Sequence, residues 1–92
     1  MPSTLRNNKS KSRFELEIDD HVAFVEYEMP SSSSIALLHT EVPKELGGRG
    51  VGSILAKAVL ENVRAQGWKV EPRCEFLATY IKKHPEFGSL VT

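Results

Sequence analysis

From Phe14 onward apolar and polar positions alternate. Phe14, Leu16 and Ile18 are separated by Glu15, Glu17 and Asp19, a period of two that predicts a half-buried strand. Asp19-Asp20 turns the chain into a second such run, Val22 to Met29, where Ala23, Val25 and Tyr27 share one face opposite Phe24, Glu26 and Glu28. Pro30-Ser31-Ser32-Ser33-Ser34 has no period and can close an antiparallel hairpin. Ile35 to Val42 is apolar on both faces, with Ile35 and Leu37 on one and Ala36 and Leu38 on the other, as expected for a strand at the centre of a sheet. The preceding stretch, Met1 to Ser12, is polar and predicts a frayed start.

At Val51 the period changes to that of a helix. Val51, Ile54, Leu55, Ala58, Val59 and Val63 form an apolar stripe opposite Lys57, Glu61 and Arg64, and Gly67 supplies a left-handed cap. Trp68 to Pro72 then reads as a short strand and Glu75 to Lys83 as a second helix, broken by His84-Pro85. Ile35 to Pro72 is therefore a strand–loop–helix–strand unit, with parallel strands and a right-handed crossover. The whole is an α+β domain over residues 13–88, with antiparallel strands before a βαβ core. Residues 1–12 are expected to be a flexible N-terminus and residues 89–92 a C-terminal tail.

Composition changes this picture little. Ninety-two residues suffice for one core. Twelve basic and twelve acidic side chains cancel, which speaks against nucleic acid or an anionic membrane as partner. A single cysteine excludes an internal disulfide and argues for a reducing, cytoplasmic setting. No apolar run reaches the length of a membrane span. Three scattered histidines and one cysteine match no metal-ligand spacing, so no metal is expected.

The chemistry is expected where the crossover helix starts, because ligands of such units bind outside the carboxyl ends of the strands. Leu46-Gly47-Gly48-Arg49-Gly50-Val51-Gly52-Ser53 leads straight into the helix. Glycines let backbone approach a ligand closely, and the first turn of a helix offers free N–H groups at its positive end. This loop reads as an anion cradle. It lacks the lysine of a nucleotide P-loop, and its glycine spacing misses the dinucleotide fingerprint. His39, near the end of the first strand and in parity with Ile35 and Leu37, is placed to act as a base. Cys74 follows the second strand beside Arg73, at a helix start that favours thiolate.

Glu41-Val42-Pro43 followed by Leu46-Gly47-Gly48-Arg49-Gly50-Val51-Gly52 resembles the acyl-CoA-binding motif of the GNAT N-acetyltransferases, Arg/Gln-x-x-Gly-x-Gly/Ala, with Gly50 and Gly52 at its glycines. A closer likeness is to very small GNAT-like proteins, through His39-Thr40-Glu41-Val42-Pro43, Cys74, and Tyr80-Ile81-Lys82-Lys83-His84-Pro85-Glu86-Phe87. The likeness spans Phe14 to Phe87. It implies a GNAT-like mixed sheet and acetyl-CoA as co-substrate, with acyl transfer to an amine acceptor of unknown identity. The cofactor-binding set it implies is Glu41, Val42, Gly47, Gly48, Arg49, Gly50, Val51, Gly52, Ser53 and Lys83. The backbone of Glu41 and Val42 would align pantetheine, and Lys83 would meet a phosphate.

Two departures stand out. Gly47 occupies the place of the motif's Arg or Gln, so backbone amides, helped by Arg49 or Lys44, would carry the pyrophosphate. The chain also lacks the N-terminal helices that wall the acceptor pocket of larger relatives, which implies an open acceptor site. The implied catalytic residues are His39 as base, Cys74 as acyl carrier or as a passive neighbour of the thioester, and Tyr80 as the acid that protonates the leaving thiolate. The alternative function is a non-catalytic acyl-CoA-binding or sensing module acting with a partner protein.

Overall fold

Asp19 and Asp20 both adopt positive φ, 51° and 67°, the geometry of a two-residue hairpin turn whose twist matches its strands. The turn joins β2 (Arg13–Ile18) to β3 (His21–Ser31), paired from Arg13 opposite Glu26 to Ile18 opposite His21. The computed structural model describes residues 5–92, so Met1 to Thr4 of the expected frayed start lie outside the described residues. Leu5–Asn8 is not frayed but forms strand β1, antiparallel to β2. Beyond the backbone ladder and Leu5, which packs against the core, its ties are polar, so no apolar period announces it. Arg6 and Asn8 reach the carboxylate of Glu15, and Tyr27 donates its hydroxyl to Asn7 Oδ1 at 2.5 Å.

Beyond β3 the chain reverses at Ser32-Ser33 into β4 (Ser34–Glu41). The crossover helix α1 (Val51–Gln66) then leads to β5 (Lys69–Pro72), which lies parallel to β4 from Ser34 opposite Lys69 to Leu37 opposite Pro72. Strand order is β1-β2-β3-β4-β5, with β4 held between β3 and β5. Helix α2 (Glu75–Lys83) ends at His84-Pro85, and a 3-10 segment (Pro85–Leu90) follows. The expected tail is tied down: Leu90 is buried, Val91 bridges to Val70, and the Thr92 amide donates to the Val70 carbonyl at 3.0 Å.

Both helices cover one face of the sheet. Phe14, Leu16, Val25, Ile35, Leu37 and Val70 meet Leu55, Val59, Leu60 and Val63 of α1 and Leu77 of α2 in a single core. Each such side chain stabilises the fold by roughly 1.5–3 kcal/mol. The buried stripe of α1 is turned relative to the sequence expectation. Ala56 and Leu60 are inside while Ile54 is 50% exposed, because α1 is covered by α2 as well as by the sheet. Gly67 caps α1 with φ 77°, as its position predicts. No helix among the described residues is long and apolar enough to cross a membrane.

Candidate active site

β5 stops at Pro72, opposite Leu37, while β4 runs on to Glu41. From Leu38 to Glu41, one edge of β4 therefore has no strand beside it. The last backbone tie across the gap is the Cys74 amide, which donates to the Leu37 carbonyl at 2.9 Å. Cys74 has extended backbone, φ −77° and ψ 123°, and stands at the N-cap of α2. Its half-buried sulfur lies 3.3 Å from the Thr40 hydroxyl.

A β-bulge decides which side chains face this gap. Glu26 pairs with His39 but Tyr27 pairs with Leu37, so Leu38 is an extra residue on β4. Alternation resets there. Thr40, paired with the buried Val25, takes the core side that simple parity assigns to His39. His39 is turned to the open face, 55% exposed, where its Nε2–H donates to Glu41 Oε1 at 2.9 Å. The gap thus holds two separate pairs, His39–Glu41 on the open face and Thr40–Cys74 on the core side. Thr40 is a site residue that sequence reasoning missed, since nothing in Leu37-Leu38-His39-Thr40 signals a bulge.

The glycine loop ends in an open helix terminus. Gly50 is the N-cap of α1 with φ 70°, no side chain caps it, and the first backbone bond runs from the Ile54 amide to the Gly50 carbonyl. Among the described residues the amides from Gly48 to Ser53 have no backbone acceptor. Unfilled donors at the positive end of a 16-residue helix suit a pyrophosphate. Gly47 packs tightly: a Cβ there would lie 3.1 Å from the Lys44 carbonyl, so this loop has little room for the larger residue of the motif. Arg49 is paired with Asp19 at 2.8 Å, which commits its guanidinium to the β2–β3 turn.

Beside the loop, a cavity of about 230 Å³ separates α1 from α2, lined by Ser53, Phe76, Thr79, Tyr80, Lys83 and His84. Phe76 belongs to the first turn of α2. It is 42% exposed and lies over Gly52, where an added Cβ would come within 3.0 Å of its ring. The Phe76 ring of α2 and the Gly52 backbone of α1 are in close contact at this point. Tyr80 is largely buried, and its ring stacks on His84 at 3.9 Å. Burial pushes the Tyr80 phenol above its ordinary value, with the Glu86 and Glu61 carboxylates adding to the effect. His84 Nδ1–H donates to the Tyr80 carbonyl at 2.8 Å, and this histidine forms part of the cavity wall. Val42 packs against the core at the end of β4.

A family model for GCN5-related N-acetyl-transferases matches residues 13–90. The chain belongs to the GNAT family. Its GNAT fold is also seen in the solution structure of a GCN5-like protein from Staphylococcus aureus. That structure is 27% identical, with TM-score 0.73 over 97% of this chain and 87% of the other. Protein NATD1 of Mus musculus is 29% identical over 86 residues, covering 91% of this chain and 78% of its own length. Protein NATD1 of Xenopus tropicalis is 36% identical over 59 residues, covering 64% of this chain. The match spans 54% of the Xenopus protein, about half its length. Within the GNAT fold of this chain, Thr40 ties the β4 edge to Cys74 at the start of α2, and Phe76, two residues on, lies over Gly52 at the start of α1.

Proposed function

We propose that the protein is an acetyl-CoA-dependent N-acetyltransferase that acts on a primary amine. The observation that carries this reading is the open N-terminus of α1, whose amides from Gly48 to Ser53 are unfilled beside an unpaired stretch of β4. In this reading the amides grip the pyrophosphate, and Lys83 on the cavity wall meets a further phosphate. The free edge beyond Leu37 aligns the pantetheine amides as an added strand would. Acetyl-CoA supplies an activated acyl thioester when bound.

The proton steps fall to two residues. Because His39 Nε2–H donates to Glu41, the lone pair sits on Nδ1, which takes the proton of the acceptor amine on the open face. Tyr80, on the wall of the α1–α2 cavity, is the donor for the leaving sulfur. Cys74 has Thr40 as its partner and no base, which favours the passive role, lining the gap beside the thioester, over that of acyl carrier. The test combines calorimetry with acetyl-CoA and turnover over a panel of amines. Binding together with acetylated product supports the enzyme. Tight binding without turnover on any amine supports a non-catalytic acyl-CoA module, and no binding overturns both.

A further inference from the structure

Past Leu37 the edge of β4 has no strand beside it, and the start of α2 stands across from it instead. The two sides of this gap differ in chemistry. His39 and Glu41 lie on the open face, while Thr40, in register with the buried Val25, lies on the core side. Cys74 bounds the gap twice. Its amide closes the end toward β5 through the Leu37 carbonyl at 2.9 Å, and its sulfur reaches across to the Thr40 hydroxyl at 3.3 Å. Thr40 and Cys74 are both half-buried, so a group in the gap can touch them, whereas Val25 and Leu37 are fully buried. The pair is a wall between the gap and the core.

We infer that the Thr40–Cys74 contact sets the length of acyl chain the protein accepts, admitting acetyl and turning away chains of about four carbons or more. The inference rests on the proposed transferase reading, in which the thioester lies in this gap. With the acceptor amine on the open face beside His39, the acyl tail is left the interior of the gap, where the two side chains meet. Neither is free to move aside. Thr40 is β-branched, which restricts its χ1 on a strand, and Cys74 is fixed by its own backbone tie to Leu37. The contact joins residues 34 positions apart, one near the end of β4 and one at the N-cap of α2, so each half of the wall is anchored in a different element. Packed interiors resist added volume, and each methylene forced against such a wall costs about tenfold or more in affinity or rate.

The experiment compares acetyl-CoA, butyryl-CoA and hexanoyl-CoA on the full chain and on its variants Thr40→Ala and Cys74→Ala. Selectivity is the ratio of kcat/KM between donors where an amine is turned over, and the ratio of Kd from calorimetry where none is. The parent should favour acetyl-CoA over butyryl-CoA by about tenfold or more, and over hexanoyl-CoA by at least as much. Each variant shortens one half of the wall and should raise the butyryl-to-acetyl ratio about tenfold. A general loosening of the fold would weaken every donor alike and leave that ratio where it was. Either variant suffices, so a failure of one to fold leaves the test with the other. A parent that takes butyryl-CoA as readily as acetyl-CoA, or a folded variant with the parent's ratio, would overturn the inference while the transferase reading stands. If no donor binds, the reading and the inference fall together.

Discussion

The Thr40 hydroxyl stands 3.3 Å from the Cys74 sulfur, joining the end of β4 to the residue that opens α2. A hydroxyl is not a base at neutral pH, so this contact orients the thiol without activating it. Cys74→Ala is therefore expected to keep acetyl transfer within about threefold of the parent, since uniform losses of this size accompany repositioning rather than loss of a nucleophile. Mass spectrometry after acetyl-CoA alone should show no adduct on Cys74. An acetyl-cysteine that disappears on adding an amine, with a collapse of turnover in the alanine variant, would assign the covalent role instead.

At the helix mouth, Gly50 has φ 70° and caps α1 without a side chain. A β-branched residue there costs about 1–2 kcal/mol for the left-handed backbone and brings methyl groups toward the amides that face the anion. Gly50→Val should fold with a lowered Tm and lose acetyl-CoA binding by tenfold or more. Gly50→Asn, whose side chain tolerates this backbone, separates strain from crowding. If calorimetry gives both variants the parent affinity, the loop is not the cradle.

Much of this architecture was legible in the residues because one physical signal dominated each part. The strict alternation around Leu16 and Val25 and the helical period after Val51 report burial, which is local and periodic, while the cap at Gly67 reports the left-handed backbone that glycine allows. The α2 limits, Glu75 and Lys83, were readable for the same reason. What escaped was whatever depends on partners distant in sequence. β1 is held by side-chain hydrogen bonds from Asn7 and Asn8, which carry no period. The bulge at Leu38 arises from pairing with β3, and it alone decides that Thr40 rather than His39 meets Cys74. The packing of Phe76 over Gly52, 24 positions earlier in the chain, is a contact that a single helix pattern cannot register.

Glu15 gives a prediction about stability. It is buried on the otherwise open face, and the Arg13 hydrogen bond, aided by Asn8 and by the charges of Arg13 and Arg6, holds its carboxyl below the ordinary 4.5 against the opposing effect of burial. A carboxylate whose pKa is lowered by folding adds stability that is fully present above its unfolded value and is lost as pH falls through the folded one. Glu15→Gln should thus be less stable than the parent at pH 7, by about 1–3 kcal/mol for a charge-assisted bond. The difference should shrink as the pH drops below 4.5. Urea denaturation of both proteins across that range checks it. A gap that stays constant down to strongly acidic pH would show that the Glu15 charge contributes nothing.

His39 and Glu41 supply the most direct test of the proposed chemistry. The bulge places the imidazole on the open face, and Glu41 fixes its tautomer through a 2.9 Å bond, leaving Nδ1 free to accept a proton. General-base catalysis contributes about 10²–10⁴-fold to rate, so His39→Ala should lower kcat by at least a hundredfold. Both side chains are about half exposed, and neither supports the glycine loop or the α1–α2 cavity, so acetyl-CoA affinity should be unchanged in this variant. Glu41→Gln keeps a hydrogen-bond acceptor beside Nε2, so the tautomer survives and its loss should be smaller. Steady-state turnover of the three proteins, with acetyl-CoA calorimetry beside it, distinguishes this from a structural role, which would lower turnover and affinity together. Equal kcat in His39→Ala and the parent would move the base to another group and leave the His39–Glu41 pair without a part in catalysis.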